Sequence, residues 1–199
     1  MRPQGTASPD ESETPDAALL VRVANGDGRA ARVLIDRLAP RLLRHVSRML
    51  GNQTDAEDIV QETFLRLWKV APDWRQGGAQ VSTWAFRVAI NLTTDRLRAR
   101  RPSVDIDSIA APVSDLESAV SRLTQADRIS ALDAALAALP ERQRQAVSLR
   151  HIEEMSNPEI AEIMDIGVEA VESLVARGKR ALTAALKGQQ DALGYTDDQ

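Results

Sequence analysis

The chain has 199 residues, 43% of them hydrophobic, and a formal net charge of −4, a composition that is typical of a globular protein and excludes wholesale disorder. It has no cysteine and only two histidines, which excludes disulfides and thiolate metal sites; we expect no metal and no cofactor. No run approaches the roughly 20 apolar residues that span a bilayer, and the polar start lacks the apolar core of a signal peptide, so we expect a cytoplasmic protein without membrane insertion.

The first elements in chain order are a tail and two helices. Residues 1–15 are rich in proline, serine, threonine and glutamate, which predicts a disordered tail. A helical pattern begins near Asp16 and runs to the breaker NGDG. A second helix begins near Arg29 and ends at GNQ, and Pro40 is expected to kink or split it because proline removes a backbone donor.

A third helix is predicted to begin at Thr54, because Thr54 and Glu57 have the T-x-x-E spacing of a capping box. Its apolar residues recur every three or four positions, which predicts one buried face; they are Ala56, Val60, Phe64 and Leu67. The helix is predicted to end near Val70, before a glycine-rich loop.

The fourth predicted helix, capped by Ser82 or Thr83, carries two stripes at helical spacing. The first is predicted to be core and consists of Phe86, Ile90, Thr93 and Leu97. The second combines an aromatic ring with hydrogen-bonding and cationic side chains and consists of Trp84, Arg87, Asn91, Thr94 and Arg98. Such a combination suits an unpaired nucleic-acid strand, because rings stack on bases and arginines bind phosphates.

Charge and aromatic clustering favour the same interpretation of this segment. From Arg87 to Arg101 there are five arginines against one aspartate, and five of the six aromatic residues of the chain lie between Phe64 and Phe86. The alternative is that Trp84 belongs to the core and that the arginines form a solvated face.

The second half of the chain begins with a linker over residues 102–125, which contains prolines, serines and acidic residues. A helix then stops at Pro140, which is predicted to occupy the first position of the next helix. Ser156 and Glu159 repeat the capping-box spacing and predict a short helix, and a last helix is predicted from about Val168 to Lys187.

The last two helices have the layout of a helix-turn-helix, with Ile166 and Gly167 in the turn. Residues predicted to face inward are Ile160, Ala161 and Met164 on the first helix and Val168, Val171 and Val175 on the second. Residues predicted to face a DNA groove or its phosphates are Glu169, Ala170, Glu172, Ser173, Ala176, Arg177, Lys179, Arg180 and Lys187, with Asn157 at the start of the first helix. An ordinary helical hairpin is the alternative. No strand pattern is evident, so the predicted fold is all-α with two small helical domains.

Three segments together resemble the extracytoplasmic-function group of sigma factors in the sigma-70 family. DAEDIVQETFLRLW resembles the polymerase-binding helix of region 2, and STWAFRVAINLTTDRLRARR resembles its promoter-melting helix. The segment from LPERQRQ to GKRAL resembles region 4. The resemblance implies an all-α promoter-specificity subunit of RNA polymerase that is not an enzyme, with region 2 over residues 16–101, region 4 over residues 126–187 and a tail over residues 188–199.

The resemblance also implies roles for particular residues. Capture of a base flipped from the −10 element, and strand opening, are implied for Trp74, Arg75, Ser82, Thr83, Trp84, Arg87, Asn91, Thr94, Arg98 and Arg101. Reading of the −35 element is implied for Asn157, Glu169, Glu172, Ser173, Arg177, Lys179 and Arg180. Binding to the clamp helices of the polymerase large subunit is implied for Glu57, Asp58, Gln61, Glu62, Leu65 and Trp68, although these residues alone would also fit a solvated helix face.

Two departures from the family pattern affect these expectations. Val81 and Ser82 stand where members often have an aromatic residue, so the pocket for the flipped base is expected to differ in shape. Glu172 and Leu174 stand where the reading helix commonly carries basic residues, which predicts either an unusual −35 preference or contact mainly through other residues.

The expected partners are core polymerase, through its clamp helices and flap, promoter DNA and an anti-sigma factor. The linker acids Asp105, Asp107, Asp115 and Glu117 would imitate RNA in the polymerase exit channel, or would belong to a flexible tether. Two other classes fit parts of the pattern: a stand-alone DNA-binding regulator that acts through the last two helices, and an interaction protein that has lost its DNA contacts.

Overall fold

The computed structural model describes residues 14–75, 78–100 and 125–187, with side chains from residue 131 onward in the last range. Within these residues there are eight α-helices, one short 3₁₀ helix and no strand, which confirms the all-α prediction. The helices are α1 (Asp16–Ala24), α2 (Gly28–Leu50), α3 (Gln53–Val70), α4 (Val81–Arg100), α5 (Gln125–Ala137), α6 (Glu141–His151), α7 (Asn157–Met164) and α8 (Val168–Lys187).

The chain divides into two compact units with the main boundary after Leu97, and each unit is described by itself. Several predicted parts lie outside the described residues: all of the predicted linker except Gln125, including its four acidic residues; the predicted tail over residues 188–199; Arg101; and all but the end of the predicted N-terminal tail.

The first unit is built on α2, which packs against both α1 and α3. Apolar side chains recur every four residues along one side of α2, and this periodicity turns them all toward the interior; they are Ala30, Leu34, Leu38, Leu42 and Val46. Leu19 and Leu20 of α1 are fully buried. The predicted inner face of α3, from Ala56 to Leu67, is buried as expected.

Pro40 does not split the second helix, which is continuous from Gly28 to Leu50. The side chain of Pro40 is exposed. Because the missing hydrogen bond and the ring lie on the solvent side of the helix, water can satisfy the carbonyl group that loses its partner.

The capping prediction for the third helix is wrong by two residues. The N-cap is Asn52, whose side-chain oxygen accepts a hydrogen bond from the backbone N–H of Asp55 at 3.0 Å. Thr54 lies inside the first turn, and the Glu57 carboxylate accepts a bond from the Gln53 side chain instead. Asparagine caps at least as well as threonine, so the earlier residue sets the start of the helix.

The fourth helix begins at Val81, so neither Ser82 nor Thr83 caps it. The first intrahelical bond runs from the Trp84 N–H to the Gln80 carbonyl oxygen. The predicted core stripe is largely confirmed, because Phe86, Ile90 and Thr93 are buried and Leu97 is half-buried. The helix packs on α2 through Phe86 and reaches α3 through an ion pair between Arg96 and Asp55.

In the second unit, α8 packs against α5 and α6. Its apolar core contains Leu136, Leu139 and Val147, with Ile152 and Leu182 packed against them. Pro140 is the N-cap of α6 rather than its first residue, and α6 ends at His151, before Glu154 takes a left-handed backbone conformation with φ of 56°.

Three predictions about the last two helices are confirmed and one is wrong. The capping box of Ser156 and Glu159 is present, and the last helix runs from Val168 to Lys187. Ile160, Ala161, Met164 and Val171 are buried and Val175 is half-buried. Val168 is 40% exposed, because a residue in the first turn has no preceding turn to cover it.

Gly178 of α8 provides a test of the second unit. It is buried against α6, and a Cβ atom there would overlap Val147 Cγ2 and lie 3.5 Å from the Gln143 carbonyl oxygen. We expect Gly178→Ala to lower the free energy of unfolding by about 1–3 kcal/mol, because a tightly packed helix contact must open. Urea denaturation measures this. The double variant with Val147→Ala should lose less than the sum of the two single variants, and strict additivity would contradict the proposed overlap.

Candidate nucleic-acid interface

The second stripe of α4 lies on the solvent side of the helix. Arg87, Asn91 and Arg98 are exposed, whereas Trp84 and Thr94 are half-buried. The arrangement follows from the 100° step between helical residues, since burial of Phe86 and Ile90 turns these five positions outward. This stripe, with Trp74 and Arg75 of the preceding loop, is called the strand face below.

The tryptophan rings of the strand face contact each other. The centroids of Trp74 and Trp84 are 6.2 Å apart, and the ring planes meet at 84°, an edge-to-face arrangement. Trp74 directly follows the 3₁₀ helix Ala71–Asp73, and its N–H bonds the Ala71 carbonyl oxygen. Both rings remain partly exposed. The contact restrains the two rings while leaving part of each accessible to a planar ligand.

One residue predicted at this face, Thr83, lies elsewhere. Thr83 is 1% exposed, because it lies on the buried side of the first turn of α4, and it is therefore unavailable for a nucleic-acid contact. Ser82 is half-buried, and Arg75 is exposed. The structure thus brings Trp74, Trp84 and the exposed residues of α4 into one surface and separates Thr83 from it.

A second surface lies between α2 and α3. An apolar groove of about 360 Å³ runs between these helices. Its lining residues are Ile35, Ala39 and Leu43 from α2 and Glu57, Val60, Gln61, Phe64, Leu65 and Trp68 from α3. Leu65 is 57% exposed, and the rings of Phe64 and Trp68 are 5.6 Å apart. This surface is called the α2–α3 groove below.

The residues predicted to bind polymerase lie in or beside the α2–α3 groove. Four of the six, Glu57, Gln61, Leu65 and Trp68, line it. Asp58 is exposed, and Glu62 forms an ion pair of 2.7 Å with Arg66. Sequence reasoning missed the α2 wall formed by Ile35, Ala39 and Leu43, although their regular spacing of four residues was a readable signal.

A third surface is the outer side of α8. Glu169, Glu172, Lys179 and Arg180 are exposed, as is Arg177, and Ser173 is half-buried. The Arg177 guanidinium donates to the Ser173 hydroxyl from Nε at 3.1 Å and from Nη2 at 2.6 Å. These bonds hold the guanidinium one turn back along the helix.

One cation of α6, Arg150, lies near this surface, and the sequence reasoning did not single it out. Burial lowers the pKa of His151, and the positive charges of Arg150 and of Lys179 on α8 lower it further. Arg150 therefore adds positive charge beside Lys179, whereas the lowered pKa of His151 disfavours its charged form. At the start of α7, Asn157 is half-buried, and its Oδ1 atom is buried without a hydrogen-bond partner.

Two further observations on the described residues concern metal ligands and membrane spans. Across residues 14–75, 78–100 and 125–187, no three histidine, cysteine or acidic side chains come together as a set of metal ligands. Within the same ranges, no helix combines the length and the apolar composition needed to cross a bilayer.

Comparison with known proteins agrees with this picture. Residues 34–102 match the family model described as Sigma-70 region 2, and residues 129–182 match the one described as Sigma-70, region 4. The ECF RNA polymerase sigma factor SigW of Bacillus subtilis is 33% identical over 179 residues, covering 83% of this chain and 94% of the relative. The ECF RNA polymerase sigma-E factor of Escherichia coli K12 is 30% identical over 177 residues, covering 84% and 92%.

A solved structure shows the same architecture. The structure of CnrH in complex with the cytosolic domain of CnrY superposes with a TM-score of 0.66 at 27% identity, covering 87% of this chain and 97% of that one.

The two family matches define a DNA-binding transcription initiation factor rather than an enzyme. The chain belongs to the sigma-70 family, in the group of ECF RNA polymerase sigma factors. It is therefore a sigma factor that directs core RNA polymerase to promoters, and the resemblance drawn from the sequence is confirmed.

Proposed function

We propose that the strand face, the α2–α3 groove and the outer side of α8 each perform a different step of promoter-specific initiation. The strand face captures unpaired bases of the −10 element, the α2–α3 groove binds the clamp helices of the polymerase large subunit, and α8 reads the −35 element. The corresponding domains are region 2 over residues 16–101 and region 4 over residues 126–187. The observation that carries the proposal is the partly exposed pair of Trp74 and Trp84 beside the exposed residues of α4.

The strand face suits a single strand better than a duplex. A ring pair that is restrained edge to face offers a stacking site for one extruded base. Flipping a base costs a few kcal/mol, and stacking at about 1–3 kcal/mol per base offsets much of that cost. Asn91, about two turns beyond Trp84 on the same side of α4, supplies amide donors and acceptors, and Arg87 and Arg98 supply positive charge along the helix for phosphates of the strand.

The α2–α3 groove suits a helical protein partner. Its floor is apolar, whereas Glu57 and Asp58 place negative charge at its edge. An exposed leucine beside a groove that is bordered by acidic residues is the pattern expected where a basic amphipathic helix docks. The same reasoning makes an anti-sigma factor a natural competitor, and the complex of CnrH with the cytosolic domain of CnrY supports this. Because the protein acts together with core polymerase, we propose that it is located in the cytoplasm.

The outer side of α8 suits the major groove of duplex DNA. Arg177, Lys179 and Arg180 supply cations for phosphates or for guanine, and Glu172 can accept a hydrogen bond from cytosine. The capping box occupies the Glu159 N–H and places the Glu159 carboxylate at the start of α7, and Pro158 has no N–H, so a phosphate there could bond only the N–H of Asn157.

Leu65 tests the role of the α2–α3 groove. We expect Leu65→Ser to weaken binding to purified core polymerase about 10- to 150-fold, because an exposed leucine that becomes buried contributes about 1.5–3 kcal/mol. Competition with a labelled sigma factor measures the affinity. Leu132→Ser is the matched control, since Leu132 is also an exposed leucine, at 37%, but lies on α5. Equal affinities for the two variants would contradict the assignment.

Trp84 tests the role of the strand face. We expect Trp84→Ala to reduce promoter opening by about 5- to 100-fold while closed-complex formation changes little, because the stacking energy acts only on unpaired bases. Permanganate footprinting reports opening, and filter binding at low temperature reports the closed complex. Trp84→Phe keeps a ring and should retain most of the opening. The role would be wrong if opening were unchanged while initial binding failed.

Arg177 tests the role of α8. We expect Arg177→Ala to weaken holoenzyme binding to a duplex that contains only the −35 element and to lower the salt dependence of that binding by about one unit of slope. Arg29→Ala, which removes an exposed arginine at the start of α2 in the other unit, is the control and should change neither quantity. An unchanged slope for Arg177→Ala would exclude a phosphate contact.

A further inference from the structure

The helix α2 carries a second concentration of positive charge. It contains six arginines and one aspartate. Three of the arginines, Arg41, Arg44 and Arg48, are spaced three and four residues apart and therefore share one side of the helix, about 10 Å long. They are called the arginine stripe below. Arg44 is exposed, and Arg41 and Arg48 are half-buried.

The arginine stripe lies on the flank of α2 that faces α4. The Arg41 Cζ atom is 5.4 Å from the centroid of the Phe86 ring. His45, which lies beside Arg41 and Arg48 on the helix surface, meets the same ring edge to face with centroids 5.8 Å apart. The other flank of α2, with Ile35, Ala39 and Leu43, forms the α2–α3 groove. The arginine stripe is thus separated from the proposed polymerase surface.

Contact with Phe86 brings the arginine stripe next to the strand face. Phe86 is fully buried, and the next residue, Arg87, is exposed. The helical step from Phe86 to Arg87 leads from the α2 contact to the solvent side of α4. Arg87 of α4 and the arginine stripe of α2 therefore border the same seam between the two helices.

We propose that the arginine stripe binds the phosphate backbone of the same unpaired strand, and so extends the strand face from α4 onto α2. This inference rests on the proposed function of the strand face. The arginine stripe contains neither a ring nor an amide, so it is equipped for phosphate contacts without reading of bases. Its contribution is expected to be independent of sequence and dependent on salt.

The test uses holoenzyme assembled from core polymerase and the full chain. The DNA is a fork fragment whose non-template strand is unpaired through the −10 element, and binding is measured over a range of salt concentrations. We expect Arg44→Gln/Arg48→Gln to lower the slope of log Kobs against log salt by about 1.4, since each phosphate contact on a single strand contributes about 0.7. Arg44→Gln alone, at the exposed position, should lower it by about 0.7.

The matched control is Arg32→Gln on the opposite side of the same helix. Arg32 is exposed and lies nine residues before Arg41, about two and a half turns away. Arg32→Gln should leave the slope of log Kobs against log salt unchanged. Arg41 is left in place because it packs over Phe86.

Three outcomes would overturn the inference. A slope for Arg44→Gln equal to that of Arg32→Gln would show that the arginine stripe makes no phosphate contact. An equal fall in slope on a fully paired −35 fragment would place the contact on duplex DNA. If Arg44→Gln or Arg44→Gln/Arg48→Gln binds core polymerase more weakly than the unchanged chain does, the arginine stripe contacts a protein partner instead. Trp84→Ala distinguishes the two proposals: if it impairs fork binding while the stripe variants do not, only the arginine stripe is wrong, and if it has no effect, the strand face is wrong.

Discussion

The packing of α4 on α2 through Phe86 determines what the first unit presents to its partners. The ring is fully buried, with the His45 ring at its edge and the Arg41 guanidinium above it. Because successive helical residues point 100° apart, burial of Phe86 turns Trp84 and Arg87 outward. The same contact brings the side of α2 that carries the arginine stripe next to α4. The apolar side of α2, with Ile35, Ala39 and Leu43, faces the groove shared with α3. One buried ring therefore orients the strand face, the arginine stripe and the α2–α3 groove relative to one another.

Local charge, rather than net charge, connects this structure to its function. The chain is acidic overall, at −4, yet it concentrates arginines on α2, on α4 and on the outer side of α8. The acidic remainder weakens attraction to DNA at a distance, whereas the cationic surfaces act at contact range, within a Debye length of about 8–10 Å. Such a distribution favours DNA binding when a partner positions the chain on the promoter, and it disfavours binding by the chain alone.

Sequence periodicity predicted the helices and their buried faces well, and it failed mainly where several polar residues compete to begin a helix. The last helix and the capping box at Ser156 were predicted correctly. Glu159 stands three residues after Ser156, whereas the apolar Ile160 stands three residues after the other cap candidate, Asn157, so only Ser156 completes a capping box. Asn52 was overlooked in favour of Thr54, because a spacing rule cannot tell which of two nearby side chains reaches the free N–H. Thr83 was assigned to the strand face although it is buried. The sequence pattern does not show whether a residue in the first turn of a helix lies on its buried side or on its solvent side.

The groove and the arginine stripe needed the tertiary structure. The groove is made by two helices, and the arginine stripe, which belongs to α2 alone, gains its proposed role only from its position beside α4. The sequence does not say which flank of α2 meets which neighbour. The most direct test of polymerase-dependent strand capture is in vitro transcription of genomic DNA by purified core polymerase with and without the chain, with transcript starts mapped by sequencing. We expect new starts that share −10 and −35 elements only when both proteins are present. The absence of any start that depends on the chain would contradict the central claim.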